Sequence, residues 1–259
     1  MGYEVMQKIW KIFLYIFVNN LLFCVCELVD LTHPFDDSTF FWGTAKPLQI
    51  KTTFNGTKPG KGFWFQSEGI CAGTTHSGTH MDAPCHVIEG GWSISDIPLH
   101  NLVVNAVVVD IRDDVGDDPD VHLQVGHLTR WEEENMKIPA GSLLLICTGW
   151  SRFWPDREKY LGTAGFDTRL MRFPSISGAA AKWLRQHRQI VGVGIDSITI
   201  DVNNGKEESH LSLLGGNIYA LENLKDLHLL PATGARIFVM PALLKGASGA
   251  PCRVVAEIE

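Results

Sequence analysis

His76-Ser77-Gly78-Thr79-His80-Met81-Asp82-Ala83-Pro84-Cys85-His86 sets three imidazoles and one carboxylate at relative positions 1, 5, 7 and 11 of an eleven-residue stretch. Ten histidines spread over 259 residues would not give that density by chance. Imidazole nitrogen and carboxylate oxygen are the usual ligands of zinc and its first-row neighbours, so the stretch reads as a metal site. His76 and His80 stand four apart and could share a helical face, as in the HExxH metalloproteases. Ser77, however, holds the place where that motif needs glutamate, which excludes the protease reading. Gly78 gives backbone freedom and Pro84 stops a helix, which predicts a turn or short distorted helix aiming several side chains into one cavity. The plain alternative is a run of ordinary surface or core histidines. Cys85 reads either as a further ligand or as a small buried packing residue.

At these residues the chain resembles a known family. The stretch is similar to the HxGTHxDxPxH signature of the cyclase-like metal hydrolases, which include bacterial kynurenine formamidases (arylformamidases) and isatin hydrolases. His76, Gly78, Thr79, His80, Asp82, Pro84 and His86 all match. Weaker landmarks extend the resemblance from about Val29 to the end of the chain. They include His210 in Ser209-His210-Leu211-Ser212-Leu213-Leu214, Glu222 in Ala220-Leu221-Glu222-Asn223-Leu224, and the closing Lys245-Gly246-Ala247-Ser248-Gly249-Ala250-Pro251-Cys252-Arg253. Alone, His210 would be a satisfied loop histidine and Glu222 a surface charge. The resemblance implies instead that His76, His80 and Asp82 hold one ion, that Asp82 bridges, and that His210 and Glu222 hold a second. It implies zinc, alternatively manganese, and two ions per chain. His86 then becomes the proton carrier rather than a ligand, the closing segment folds back beside the site, and Phe41 or Trp42 contacts substrate.

Composition frames the rest. The chain is 45% hydrophobic and 20% charged with mean hydropathy near zero, which describes one globular domain with a sizeable core. A formal net charge of -7 without a basic run argues against nucleic acid or an anionic membrane as partner. Lys8 and Lys11 precede an apolar run from Ile12 to Cys26, the shape of a secretory signal. The expected division is therefore a signal peptide over 1–26 and one hydrolase domain over 27–259. A retained anchor is the competing reading, although the run falls short of the roughly 20 residues that span a bilayer as a helix. Export would fit the Asn55-Gly56-Thr57 sequon in a Gly/Pro/Lys-rich loop, and removal of the segment would leave a secreted protein with no membrane partner. Cys71, Cys85, Cys147 and Cys252 would then remain, compatible with two disulfides or none.

Val29 to Thr32 alternates like a short strand, and Phe40-Phe41-Trp42 is either core filler or the wall of a pocket for a flat ligand. Valine-rich Val103 to Ile111 and Leu143 to Cys147 read as buried strands. Trp131 to Met136 reads as a short helix between them, after a solvated acidic loop from Asp113 to Asp120. Ser177 caps a helix with Trp183, Leu184 and Ile190 on its apolar stripe, and Val191 to Asp196 follows as a strand. The Gly192-Val193-Gly194 pair lacks a GK[ST] or GxGxxG context, so no nucleotide site is read. Strand, helix and strand alternate, which supports an α/β class with a mixed sheet. The resemblance narrows this to the swivelling β/β/α type.

No GxSxG elbow occurs, so a serine nucleophile is disfavoured. The resemblance implies hydrolysis of a C–N amide bond in a small aromatic amide. N-formyl-L-kynurenine comes first, giving L-kynurenine and formate, and opening of a cyclic amide such as isatin is the alternative. A glutamate at 222 fits the two-ion formamidase arrangement better than the isatin-type one. From a different class, a secreted metal-binding protein without catalysis is the competing hypothesis. Relatives suggest a homodimer or homotetramer.

Overall fold

The computed structural model describes residues 26–46 and 49–258. The expected signal segment therefore lies, but for Cys26, outside the described residues. Ten strands are β1 (Glu27–Asp30), β2 (Gln49–Thr57), β3 (Trp64–Ala72), β4 (His80–Asp82), β5 (Val103–Asp110), β6 (Leu143–Cys147), β7 (Gly192–Ile195), β8 (Tyr219–Glu222), β9 (Thr233–Pro241) and β10 (Gly249–Ile258). Among the described residues five α-helices join them: α1 (Arg112–Val115), α2 (Val125–Glu134), α3 (Arg157–Leu161), α4 (Gly178–His187) and α5 (Glu208–Leu214). Eight strands form one mixed sheet in the order β1-β10-β4-β8-β7-β6-β5-β9, and a further β10–β9 pairing closes seven of them into a barrel. Neighbours β5, β6, β7 and β8 run parallel, whereas β4, β9 and β10 join antiparallel. This is the α/β single domain with a mixed sheet that the sequence predicts.

The period of two along each strand divides the core. Val104, Ala106 and Val108 of β5 face the barrel interior with Leu143, Leu145, Leu221, Ile237 and Val254. Val107 and Val109 face outward, with Leu144 and Ile146, into a second core under α2, α4 and α5. On β7 the outward positions are Val193 and Ile195, and the inward ones are Gly192 and Gly194. A Cβ on Gly192 would lie 2.4 Å from the Tyr219 ring, and one on Gly194 would lie 2.7 Å from Leu145 Cδ2. The glycine pair thus makes room for large side chains inside the barrel. At the end of β7 the buried Asp196 carboxylate accepts from Thr148 N, Thr148 Oγ1 and Gly149 N, which ties this strand to the end of β6; burial raises its pKa.

Several local expectations are corrected. The helix expected over Trp131 to Met136 begins six residues earlier, because Gln124 N donates to His127 Nδ1 at its start and Leu128 and Trp131 supply the buried face. The acidic stretch after Ile111 opens with the single turn of α1, whose Val115 is buried. Asn55 lies on β2 rather than in a loop, exposed on a hairpin of β2 and β3 that pairs with no other strand among the described residues. Cys71, Cys85, Cys147 and Cys252 form no disulfide. Ser177 does cap α4, its hydroxyl accepting from Ala180 N at 3.2 Å. Among the described residues no helix is long and apolar enough to cross a membrane.

Leu144 is fully buried between β5 and β7 on the helix-covered face. Leu144→Ala should cost about 2–5 kcal/mol of unfolding free energy. Urea denaturation followed by tryptophan fluorescence measures it, and a loss below about 1 kcal/mol would contradict the packing described here.

Candidate metal centre

The decisive stretch is not helical. Gly78 takes a positive φ of 58°, its backbone packed against Phe35 and Thr39, and the chain then enters β4, held between β10 and β8. Strand geometry sends Met81 into the barrel and turns His80 and Asp82 to the opposite side. Antiparallel register sets His80 directly across from Glu222 and Asp82 across from Ala220. Pro84–His86 then forms one tight turn, which brings His86 back over the same face, its ring stacked on His76 at 4.1 Å between centroids. His210 enters from α5 rather than from a loop.

These side chains converge. His76 Nδ1 lies 2.5 Å from Asp82 Oδ1, and His80 Nε2 lies 3.3 Å from the same oxygen and 3.5 Å from Glu222 Oε2. His210 Nε2 lies 3.2 Å from Asp82 Oδ2 and 3.4 Å from Glu222 Oε1. Asp82 is central to the group, its two oxygens turned to different imidazoles. Burial penalises charge on each of these groups, yet the facing opposite charges outweigh it: His80 is raised to about 9 by Asp82 and then Glu222, His210 is raised well above its ordinary value, and Asp82 is held well below. His86 is solvent-exposed; partial desolvation, with His76 and His210 beside it, lowers its pKa.

A second set of groups aims the ligand atoms. His80 Nδ1 donates to the Gly78 carbonyl at 2.9 Å, which leaves Nε2 facing the carboxylates. His210 Nδ1 meets Asp201 Oδ2 at 2.6 Å, and Asp201 also accepts from Ser209 N at 2.6 Å, so one carboxylate starts α5 and orients its histidine. Such outer partners fix the tautomer of a metal-binding imidazole. Ser248 Oγ is 3.0 Å from His76 Nε2, and a Cβ on Gly249 would come within 2.4 Å of the His76 ring. The closing segment therefore does fold back beneath the site. Arg253, in contrast, pairs with Asp30 at 2.9 Å and is structural. Ser248 and Gly249 belong to the closing segment that the resemblance placed beside the site, whereas Asp201 lies in a stretch whose composition gives no sign of its role.

The donor set fits a divalent ion. One atom each of His76, His80 and Asp82 lies within 4.8 Å of the others, and so does one each of Asp82, His86 and His210. Three buried carboxylates, Asp82, Asp201 and Glu222, line the cavity, and no lysine or arginine is among its described lining residues, so the imidazoles or a bound cation must offset their charge. His86 lies as close to Asp82 and His210 as a ligand would. Cys85 belongs to neither group, and its thiol faces the Ala247 carbonyl. The cavity over the centre has a volume of about 400 Å³ and is lined on one side by Trp42. Phe41 does not line it; it bridges to Ser77 and stacks on Phe166 at 6.0 Å, while Phe40 is core.

The model of the family described as a putative cyclase matches residues 29–202. The chain belongs to the cyclase family. It is 30% identical over 193 residues to an isatin hydrolase from Roseibium aggregatum, covering 71% of this chain and 72% of the relative. It is 25% identical over 228 residues to a kynurenine formamidase from Geobacillus thermodenitrificans, covering 87% and 94%. Among solved structures, isatin hydrolase A from Ralstonia solanacearum superposes with a TM-score of 0.81 at 30% identity, covering 95% of this chain and 97% of that one. As a member of the cyclase family the protein is a hydrolase, and its His76, His80 and Asp82 form a group that could hold a metal ion.

Asp82→Ala should abolish metal retention and lower stability, because the ligand's binding energy is also folding energy. Gly249→Ala, which touches no ligand atom by chemistry, should displace the His76 ring and reduce metal content. Elemental analysis after dialysis against zinc or manganese reads both; full occupancy in the Gly249 variant would show that His76 need not sit where it does.

Proposed function

We propose that the protein hydrolyses an amide whose nitrogen is attached to an aromatic ring, with N-formyl-L-kynurenine as first substrate and L-kynurenine and formate as products. The observation that carries this is the pairing of two buried carboxylates, Asp82 and Glu222, with His76, His80 and His210 around one point. His76, His80 and Asp82 would hold one zinc or manganese ion, and Asp82, His210 and Glu222 a second. A divalent ion there supplies Lewis acidity toward a carbonyl oxygen and makes a water acidic enough to attack at neutral pH. The chain's own groups do the remainder. His86, exposed at the cavity mouth with its nitrogen close to Asp82 and His210, takes a proton from the attacking water and returns it to the departing arylamine. Partial desolvation, with His76 and His210 beside it, lowers its pKa, which favours the neutral, proton-accepting ring. Trp42 offers a flat wall for the aryl ring, and Ile198 and Val87 contribute apolar lining.

Isatin opening is the second reading, favoured by the 30% identity and TM-score of 0.81 to isatin hydrolases. Both substrates are anilides, so the same proton route serves both. Export through the segment 1–26, with Asn55 as glycan acceptor, and assembly into a homodimer or homotetramer belong to the same proposal. Asn55 is exposed, and Ile50, Trp64 and Ile70 on the β2–β3 hairpin present 56%, 66% and 73% of their surface for a second copy to cover.

Purified protein loaded with zinc or manganese should hydrolyse N-formyl-L-kynurenine, or isatin, and lose activity on chelation. His86→Ala should retain its metal yet lose about 10²–10⁴ of the turnover. Metal binding without turnover of either substrate would return the protein to a metal-binding role, and an unimpaired His86 variant would remove the proton carrier.

A further inference from the structure

A second cavity, about 370 Å³ in volume, shares no lining residue with the metal centre. His33, Arg112, Gly149, Arg152, Lys225 and Asp226 are among the residues that line it. Arg112 follows the end of β5, Gly149 and Arg152 follow β6, and Lys225 and Asp226 follow β8, so the cavity opens where three of the four parallel strands end. The crevice beyond the carboxyl ends of parallel strands is the usual place for a ligand in an α/β sheet.

The charge balance is specific. Three cations line the cavity against one carboxylate, Asp226. Arg152 is held by the Gly149 and Gly116 carbonyls and by Asp117, and Arg112 engages Asp110 through Nε and Nη2. Lys225 is different. Its ammonium lies 3.7 Å from Asp226, beyond hydrogen-bond reach, so its donors have no acceptor among the described residues. His33 supplies the second unmet demand. It is 6% exposed, stacked on Trp154 at 4.1 Å, and its Nε2 is the one buried side-chain nitrogen or oxygen without a hydrogen-bond partner among the described residues. Buried polar atoms are normally paired, and an orphan beside a cationic cavity points to a ligand atom that completes it.

We propose that this cavity binds the oxyanion head group, carboxylate or phosphate, of a small organic ligand, with Lys225 and Arg112 as counter-charges and His33 Nε2 as hydrogen-bond partner. The ring of His33 is kept neutral there, burial and the nearby Lys225 charge lowering its pKa to about 4; its one N–H serves the Leu224 carbonyl, which leaves Nε2 to accept from a hydroxyl of the ligand, as hydrogenphosphate offers.

The test is the thermal unfolding midpoint of the metal-loaded full chain, titrated with sodium phosphate and with sodium acetate at constant ionic strength, chloride being the reference. Phosphate could also meet the metal centre, so the assignment rests on variants. Lys225→Met removes the part-exposed cation, and His33→Phe keeps the stack on Trp154 while removing the ring nitrogen; Arg112→Met replaces either one if its near-ultraviolet circular dichroism departs from the parent's. The expected result is a saturable rise in the parent and a half-saturation concentration about ten-fold higher in each variant, the loss of one charge-assisted hydrogen bond. A response to phosphate alone assigns a phosphate head group, and a response to both probes assigns a site that takes carboxylates too. No rise above chloride in the parent, or equal half-saturation in parent and variants, overturns the proposal.

Discussion

The pairing of His80 with Glu222 across β4 and β8 is the constraint on which the site depends. Two acids and three imidazoles cannot be taken out of water as separate charges, and each is tolerable only because the others face it. The three-residue strand that carries His80 and Asp82 is fastened on both edges, to β10 and to β8. Its position is therefore set by backbone hydrogen bonds rather than by the ligand atoms themselves, and the donor atoms are aimed before any ion arrives. That is the preorganisation a metal hydrolase requires.

Around this strand the support is layered. Asn223, one residue beyond Glu222, takes a left-handed backbone, and its side chain donates to the Gly78 carbonyl and accepts from the buried Tyr160 hydroxyl. Thr79 Oγ1 donates to the Asn223 carbonyl at 2.6 Å and accepts from His33 N. The segment before β4 and the segment after β8 are thus sewn together by side chains that never touch the centre. His33 stands at the far end of this seam and lines the cationic cavity.

How much of this was legible depends on whether the physics is local. His76, His80 and Asp82 could be read as a group because they lie within seven positions of one another, and the strands β5, β6 and β7 because their apolar runs are short and built from valine, leucine and isoleucine. The local conformation of the decisive stretch was not legible: Gly78 and Pro84 announce a break, but only pairing with β8 and β10, 130 and more residues away, makes a strand of His80 to Asp82. His210 and Glu222 gained meaning only from resemblance, since one histidine and one glutamate carry no pattern of their own. Asp201 carried no signal and Gly249 only the resemblance of its segment, because their roles, orienting one imidazole and leaving space beneath another, exist only in three dimensions. Gly192 and Gly194 could be read only as lacking a nucleotide-binding context, because the reason for the pair, the bulk of Tyr219 and Leu145, lies on neighbouring strands.

The strand β10 touches β1, β4 and β9, and Gly249 at its start lies beneath His76. Loosening β10 would therefore withdraw one of the two neighbours of β4 and the floor under the His76 imidazole at the same moment, so the closure of the barrel and the geometry of the centre stand or fall together.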